Sequence, residues 1–271
     1  MTSIDALRSG DVAKALESVK NDVRNEPQEA KHRIFLFQMF TVTGDWDRAM
    51  AQLKVAAELD AESKTMADAY QHILQCEALR QEVFEGGRAP LVFGEPEPWI
   101  AQMIEALRFT CQQEYAAAAA LRDEAFQGAP ATPGKLSLRS GEDGQEESFQ
   151  WLADADSRMG PILEVILQGK LYWVPIHRVA KIEFHDINDL RDCVWIPAQF
   201  TWEGGGEMVG MMPVRYPGSQ TDTEGAVQLA RKTRWDEREA ETYLGFGQRM
   251  LATDQNEYPL LDIATITFDA A

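Results

Sequence analysis

The amino-acid sequence predicts an α+β fold in two parts, a helical repeat followed by a smaller β-rich α+β region. Three observations predict it. A Gly-Asp corner recurs at a helical-repeat spacing near the N-terminus. A Gly-, Pro-, Ser- and acid-rich stretch, QGAPATPGKLSLRSGEDGQEE, lies near the midpoint. Short β-prone segments divided by Gly, Pro and Asp dominate the C-terminal half. The expected boundaries are a helical domain over 1–127, a linker over 128–147 and a β-rich domain over 148–271.

The repeat comes first. Gly10-Asp11-Val12-Ala13-Lys14-Ala15-Leu16 returns as Gly44-Asp45-Trp46-Asp47-Arg48-Ala49-Met50, an offset of 34 residues. That is the tetratricopeptide period. In each corner the Gly tolerates the left-handed conformation that ends one helix, and the Asp accepts from free amides at the start of the next. Ala15 and Ala49 sit one turn on, where paired helices approach closely. Helices are expected over 2–9, 11–25, 28–43, 45–60, 63–84 and 97–126. Ile34, Phe35, Phe37, Gln38, Phe40 and Thr41 give a mostly apolar face at helical spacing. A third Gly-Asp corner is absent, since Ala78-Leu79-Arg80 stands one period after Gly44. Stacked repeats of this kind present a concave surface suited to a partner's helix or extended peptide. The plainer reading of the aromatic stripe is core.

Past the linker, strands are expected at Ile162–Leu167, Lys170–Pro175, Lys181–His185, Met208–Pro213 and Ile263–Phe268, with one helical stretch at Thr223–Arg231. That pattern predicts a small, mostly antiparallel sheet or barrel. Trp151, Trp173, Trp195, Trp202 and Trp235 belong to this half, mostly as core or loop anchors.

The chain has 271 residues and a formal charge of -18. Such acidity disfavours phosphate backbones and anionic lipid surfaces as partners. The N-terminal stretch MTSIDALRSGDV lacks the basic and apolar regions of a signal peptide, and no apolar run approaches membrane-spanning length. Cys76, Cys111 and Cys193 are too far apart for a zinc site or a disulfide framework, so a cytoplasmic setting is expected. No catalytic motif is legible, and neither a cofactor nor a metal is expected. His177, His185 and Asp154 form the one imaginable metal set, without HExxH, HxH or CxxC support. Asp154-Ala-Asp156-Ser-Arg158 opens like a calcium loop but has Met159 and Val165 where Gly and Glu are required. Asp156 and Arg158 read better as a local ion pair bracing a turn that Gly160-Pro161 completes. Gln248-Arg249 reads as a pair bonded to neighbouring backbone, with carboxylate or phosphate binding as the alternative.

Six ordered motifs fill the second half: Trp151 to Val165, Gly169 to Pro175, Leu190 to Ala198, Tyr216-Pro217-Gly218-Ser219, Arg231 to Trp235 and Gly245 to Leu251. In this series the chain resembles the ImpE family, also called SciE or TagJ, of the bacterial type VI secretion system. The resemblance spans both halves, because that family also begins with a tetratricopeptide-like part. The chain departs where the family commonly has an aromatic pair before Trp (here Leu171-Tyr172-Trp173) and basic-Ala-Thr-Asp-Trp (here Arg231-Lys-Thr-Arg-Trp235). The second departure leaves that loop without an assigned role.

The resemblance implies a cytoplasmic, non-enzymatic adaptor. It implies association with the N-terminal helix of the small contractile-sheath subunit, and through it with sheath assembly or recycling by the ClpV ATPase. It transfers no catalytic residue. Two other readings stand beside it: a general peptide-binding or chaperone-like repeat protein with non-sheath clients, and an enzyme built around His177, His185 and Asp154. The partner surface stays open between the halves. The candidate contact residues are Arg33, Phe37 and Trp46 on the repeat side and Arg191, Trp195 and Arg249 on the other.

Overall fold

The structure, a computed structural model, describes residues 2–140 and 146–270. Five helices open the chain: α1 (Ser3–Arg8), α2 (Val12–Asn25), α3 (Ala30–Val42), α4 (Trp46–Leu59) and α5 (Ser63–Phe84). Asp11 and Asp45 cap α2 and α4 through their side chains, accepting from Lys14 N at 3.0 Å and Arg48 N at 3.3 Å. Gly10 and Gly44 hold φ of 80° and 71°, and Ala15 and Ala49 are fully buried. Both corners thus form as their sequence dictates.

A third such corner is written in different residues. The helix expected over 97–126 is two helices, α6 (Pro98–Cys111) and α7 (Tyr115–Gly128). Between them Gln113 takes the left-handed place at φ 63°, and the amide of Glu114 donates to Phe109 O at 2.9 Å. Asp11 donates to Ala6 O and Asp45 to Phe40 O in the same register. Ala118 is buried where Ala15 and Ala49 are in their corners. The sequence hides this unit because Gln-Glu replaces Gly-Asp, at the cost of a strained non-glycine backbone.

The β-rich part is built on a nine-stranded sheet. Its strands are β1 (Leu91–Val92), β2 (Gly134–Leu138), β3 (Glu147–Phe149), β5 (Ile162–Leu167), β6 (Lys170–Pro175), β7 (Val179–Phe184), β8 (Trp195–Trp202), β9 (Glu207–Pro213) and β14 (Ile263–Phe268). The order across it is β1-β6-β5-β9-β8-β7-β14-β2-β3, antiparallel throughout except β1 on β6. A three-stranded sheet joins β4 (Leu152–Asp154), β12 (Met250–Thr253) and β13 (Glu257–Pro259). A two-stranded hairpin pairs β10 (Thr233–Arg238) with β11 (Thr242–Gly247). The expected stretch Thr223–Arg231 shortens to one helical turn, α8 (Gly225–Gln228).

The expected linker needs correction. Residues 141–145 lie outside the described residues, but β2 sits in the nine-stranded sheet and pairs with β14 from Gly134↔Phe268 to Leu138↔Ile263. Gly134 is required there, because a Cβ would stand 2.3 Å from Thr267 O. Gly134 thus serves close packing against β14, and the carbonyl of neighbouring Pro133 accepts from Asp269 N just beyond that strand.

β5 shows how the two parts are welded together. All six of its residues are buried. Leu163, Val165 and Leu167 enter the apolar interior of the sheet, with Val174, Ile182, Ile196 and Phe200. The alternate face meets helices instead: Ile162 joins Trp99, Met103 and Trp173 under α6 and α7, and Ile166 joins Phe37, Tyr70 and Trp195 under α3 and α5. A strand covered on both faces is expected to read as an unbroken apolar run. Glu164 is its single exception.

The candidate site at the junction

Glu164 faces the helices with no exposed surface, and its environment explains its presence. Arg80 of α5 donates to its carboxylate from Nε at 3.0 Å and from Nη2 at 2.8 Å. Arg249 donates from Nη2 at 2.7 Å. Burial opposes ionisation, but the two guanidiniums outweigh it and hold Glu164 below the usual carboxylate range. Arg249 also pairs through Nη1 with Asp154, itself fully buried, which accepts from the Tyr216 hydroxyl at 2.9 Å. Burial is the main force raising Asp154, with Asp156 beside it adding and Arg249 opposing, and the result is a pKa of about 6. Asp156 in turn takes Nε and Nη2 of Arg158 at 2.8 and 2.5 Å and the Gly245 amide at 2.6 Å. The Asp156–Arg158 brace read from the sequence is therefore present.

Further ties cross between the parts. Trp195 Nε1 donates to Glu77 of α5 at 2.6 Å. Arg215 Nη1 donates to Val42 O at 2.7 Å and Nη2 to Thr41 O at 3.0 Å, at the carbonyl end of α3. Arg231 Nη1 donates to Leu7 O at 2.7 Å at the end of α1. Cations at helix C-termini satisfy orphan carbonyls and complement the helix dipole.

Above this network opens a cleft of about 310 Å³ between α4, α5 and the Pro217–Thr221 loop. Trp46, Gln81, Gln220 and Thr221 line it, and Arg80 and Arg158 stand on its floor. Each of these two guanidiniums lies over the Phe84 ring, at 5.7 and 5.3 Å from its centroid. The mouth is polar and the floor is internally paired. Such an arrangement offers hydrogen bonds to a protein segment set between the parts.

The structure relocates most sequence-selected contact residues. Phe37, Trp195 and Arg249 have no exposed surface, so none can touch a partner on this fold. Phe37 packs edge-on to Tyr70 at 5.7 Å, Tyr70 lies 6.1 Å from Trp195, and Trp195 lies 5.9 Å from Trp46. The Arg191 guanidinium lies over the Tyr70 ring, 4.7 Å from its centroid, and pairs with Asp189 at 2.7 Å. Four of the six candidates thus build one aromatic seam between the parts. Arg33 stands apart, donating to Gln52 at 2.9 Å. Trp46 alone lines the cleft. Gln248 and Arg249 do bond neighbouring backbone, at Ala230 O and Pro213 O. The imagined metal set does not assemble: Asp154 is held by Arg249 and Tyr216, His177 lies 3.1 Å from Glu97, and His185 is exposed beyond β7. Among the described residues no group of three His, Cys, Asp or Glu is placed to hold a metal ion. Also among them, no helix is long and apolar enough to cross a membrane. Glu164 and Arg80 escaped sequence reading, though one acid inside ILEVIL was a usable signal.

The ImpE family model, described as "ImpE protein", matches residues 146–267, which hold most of this network. The chain is 40% identical over 269 residues to the Pseudomonas aeruginosa protein named type VI secretion system accessory component TagJ, covering 99% of this chain and 92% of that one. The chain belongs to the ImpE family. The fold of this family member is also that of a solved X-ray structure of a Vibrio parahaemolyticus protein, with a TM-score of 0.86 at 24% identity over 99% of this chain and 98% of that one.

Proposed function

We propose that this ImpE-family protein is a non-enzymatic adaptor of the bacterial type VI secretion system, acting in the cytoplasm. It holds the N-terminal helix of the small contractile-sheath subunit and so modulates sheath assembly or recycling by the ClpV ATPase. The observation that carries this reading is the near full-length likeness to a relative named as an accessory component of that system. The chemistry of the junction supports it: the buried acids and arginines are committed to one another, which makes a rigid frame. The cleft beside Trp46 is the contact surface favoured by this reading.

Isothermal titration with a peptide of the sheath subunit's first helix tests it. Binding at micromolar concentration is expected, with at least ten-fold loss in Thr221→Trp, which fills the cleft from an exposed position. No heat at several hundred micromolar peptide overturns it. Co-purification of unrelated clients without sheath proteins would favour the general chaperone-like role instead.

A further inference from the structure

A second cleft, of about 210 Å³, opens on another side of the molecule. Three elements enclose it: α7 with Ala119, Arg122 and Phe126, the Asp154–Ser157 turn, and the tip of the β10–β11 hairpin at Ala240 and Glu241. Arg122 retains only 5% of its exposure. Its Nη2 donates to the neutral hydroxyl of Thr242 at 2.7 Å, and its Nη1 has no hydrogen-bond partner among the described residues. Among the described residues it joins no ion pair, unlike buried Arg80 and Arg249, and it lacks the three backbone carbonyls that hold buried Arg215.

Of the acids around it, Asp123 is exposed at the rim, and the two buried ones are already engaged. Asp154 serves Arg249 and Tyr216, and Asp156 serves Arg158 and the Gly245 amide. Burial lowers the pKa of Arg122, with Asp123 and Asp156 offsetting only part of the effect. A buried guanidinium without a counter-ion is costly, and most buried arginines have one. The hairpin tip that closes the cleft is itself strained, with Ala240 and Glu241 both at positive φ, 54° and 52°.

We infer that this cleft is a recognition site for a single carboxylate, which supplies the counter-ion that Arg122 lacks. The planar guanidinium fits a carboxylate. Ala119, Ala240 and the half-exposed ring of Phe126 offer apolar cover for the carbon atoms that bear it. Exposed Asp123 and Glu241 at the rim repel a second negative charge, which disfavours phosphate esters and polyacids. The site is separate from the junction cleft, and the inference does not rest on the adaptor reading.

Butyrate and butyramide, alike in shape and different in charge, are the probes. In side-chain arginine NMR titrations of the full chain, butyrate is expected to shift one guanidinium saturably below about 20 mM, and butyramide at least about ten-fold more weakly. Arg122→Met is expected to abolish the response without lowering the ligand-free melting temperature, because an unpaired buried charge is removed. Asp123→Asn with Glu241→Gln, on the exposed rim, is expected to tighten butyrate binding, and unchanged or weaker binding in that variant counts against the inference as well. Capped peptides with a central glutamate, and glutamine versions with a free C-terminus, separate side-chain from terminal carboxylates. Equal response to both probes, no saturation by about 50 mM, or a melting temperature several degrees lower in Arg122→Met would each overturn the inference.

Discussion

Glu164→Leu is the sharpest test of the junction. The carboxylate is fully buried and bonded to both Arg80 and Arg249. Its removal leaves Arg249 with Asp154, and Arg80 with a looser 3.5 Å contact to Glu77. Breaking a buried pair from one side costs about 3–5 kcal/mol, because the surviving charge stays desolvated. For a chain of this size each kcal/mol lowers the melting temperature by roughly 2–4 °C, so a fall of about 6–20 °C is expected. Differential scanning calorimetry reads it directly. Arg80→Met alone should be comparably damaging. The double variant should recover part of the loss, since leucine and methionine then face each other without an orphaned charge. A fall below about 2 °C in Glu164→Leu would refute the claim that this network joins the two parts.

Three further outcomes rest on local features. Asp154 has its pKa raised from 3.8 to about 6, so the folded state binds its proton more tightly than the unfolded state does. Its contribution to stability is full below pH 3.8 and is lost as pH rises through about 6. Urea midpoints of the wild type should therefore fall relative to Asp154→Asn between pH 4.5 and 7.5, and parallel profiles would contradict this. Gln113→Gly relieves a left-handed backbone at an exposed corner and should raise stability by about 0.5–1 kcal/mol, whereas unchanged or lower stability would deny the strain. Gly44→Ala should destabilise by more than about 1 kcal/mol in the same assay, since φ is 71° and the new Cβ would stand 2.3 Å from Gln220 Cγ.

Where local rules were followed, the fold was legible. β5, β6 and β14 occupy the residues expected from their apolar runs, and the Gly10-Asp11 and Gly44-Asp45 corners behave as their chemistry requires. Elements that break local rules were not legible. β8 contains Pro197, which argues against a central strand, yet the residue lies at the edge of the β7 pairing, where His185 N donates to its carbonyl. β10 is the charged segment TRWDER, made a strand by its partner β11 rather than by its own composition. The site was misread for a related reason. Phe37, Trp195 and Arg249 stand out in the sequence as large or charged residues. Such residues anchor an interior seam as readily as a surface, and only long-range contacts distinguish the two.

Those contacts also bear on whether the parts can work separately. A fragment of residues 1–127 would keep every Gly-Asp corner but lose Arg215 from the carbonyls of Thr41 and Val42 and Arg231 from that of Leu7. It would also bare the side of Phe37 and Tyr70 now packed on Ile166, Leu171 and Trp195. Isolated helices draw most of their stability from tertiary packing, and orphaned helix-end carbonyls add a further cost. The fragment is therefore expected to keep far-ultraviolet helical signal while losing near-ultraviolet signal and cooperative melting. A fragment that melts cooperatively would mean that the helices are self-sufficient and that the arginine ties only orient the two parts. If the fragment does lose its order, the protein acts as one body, and under the proposed adaptor role a partner bound at the junction would sense both parts at once.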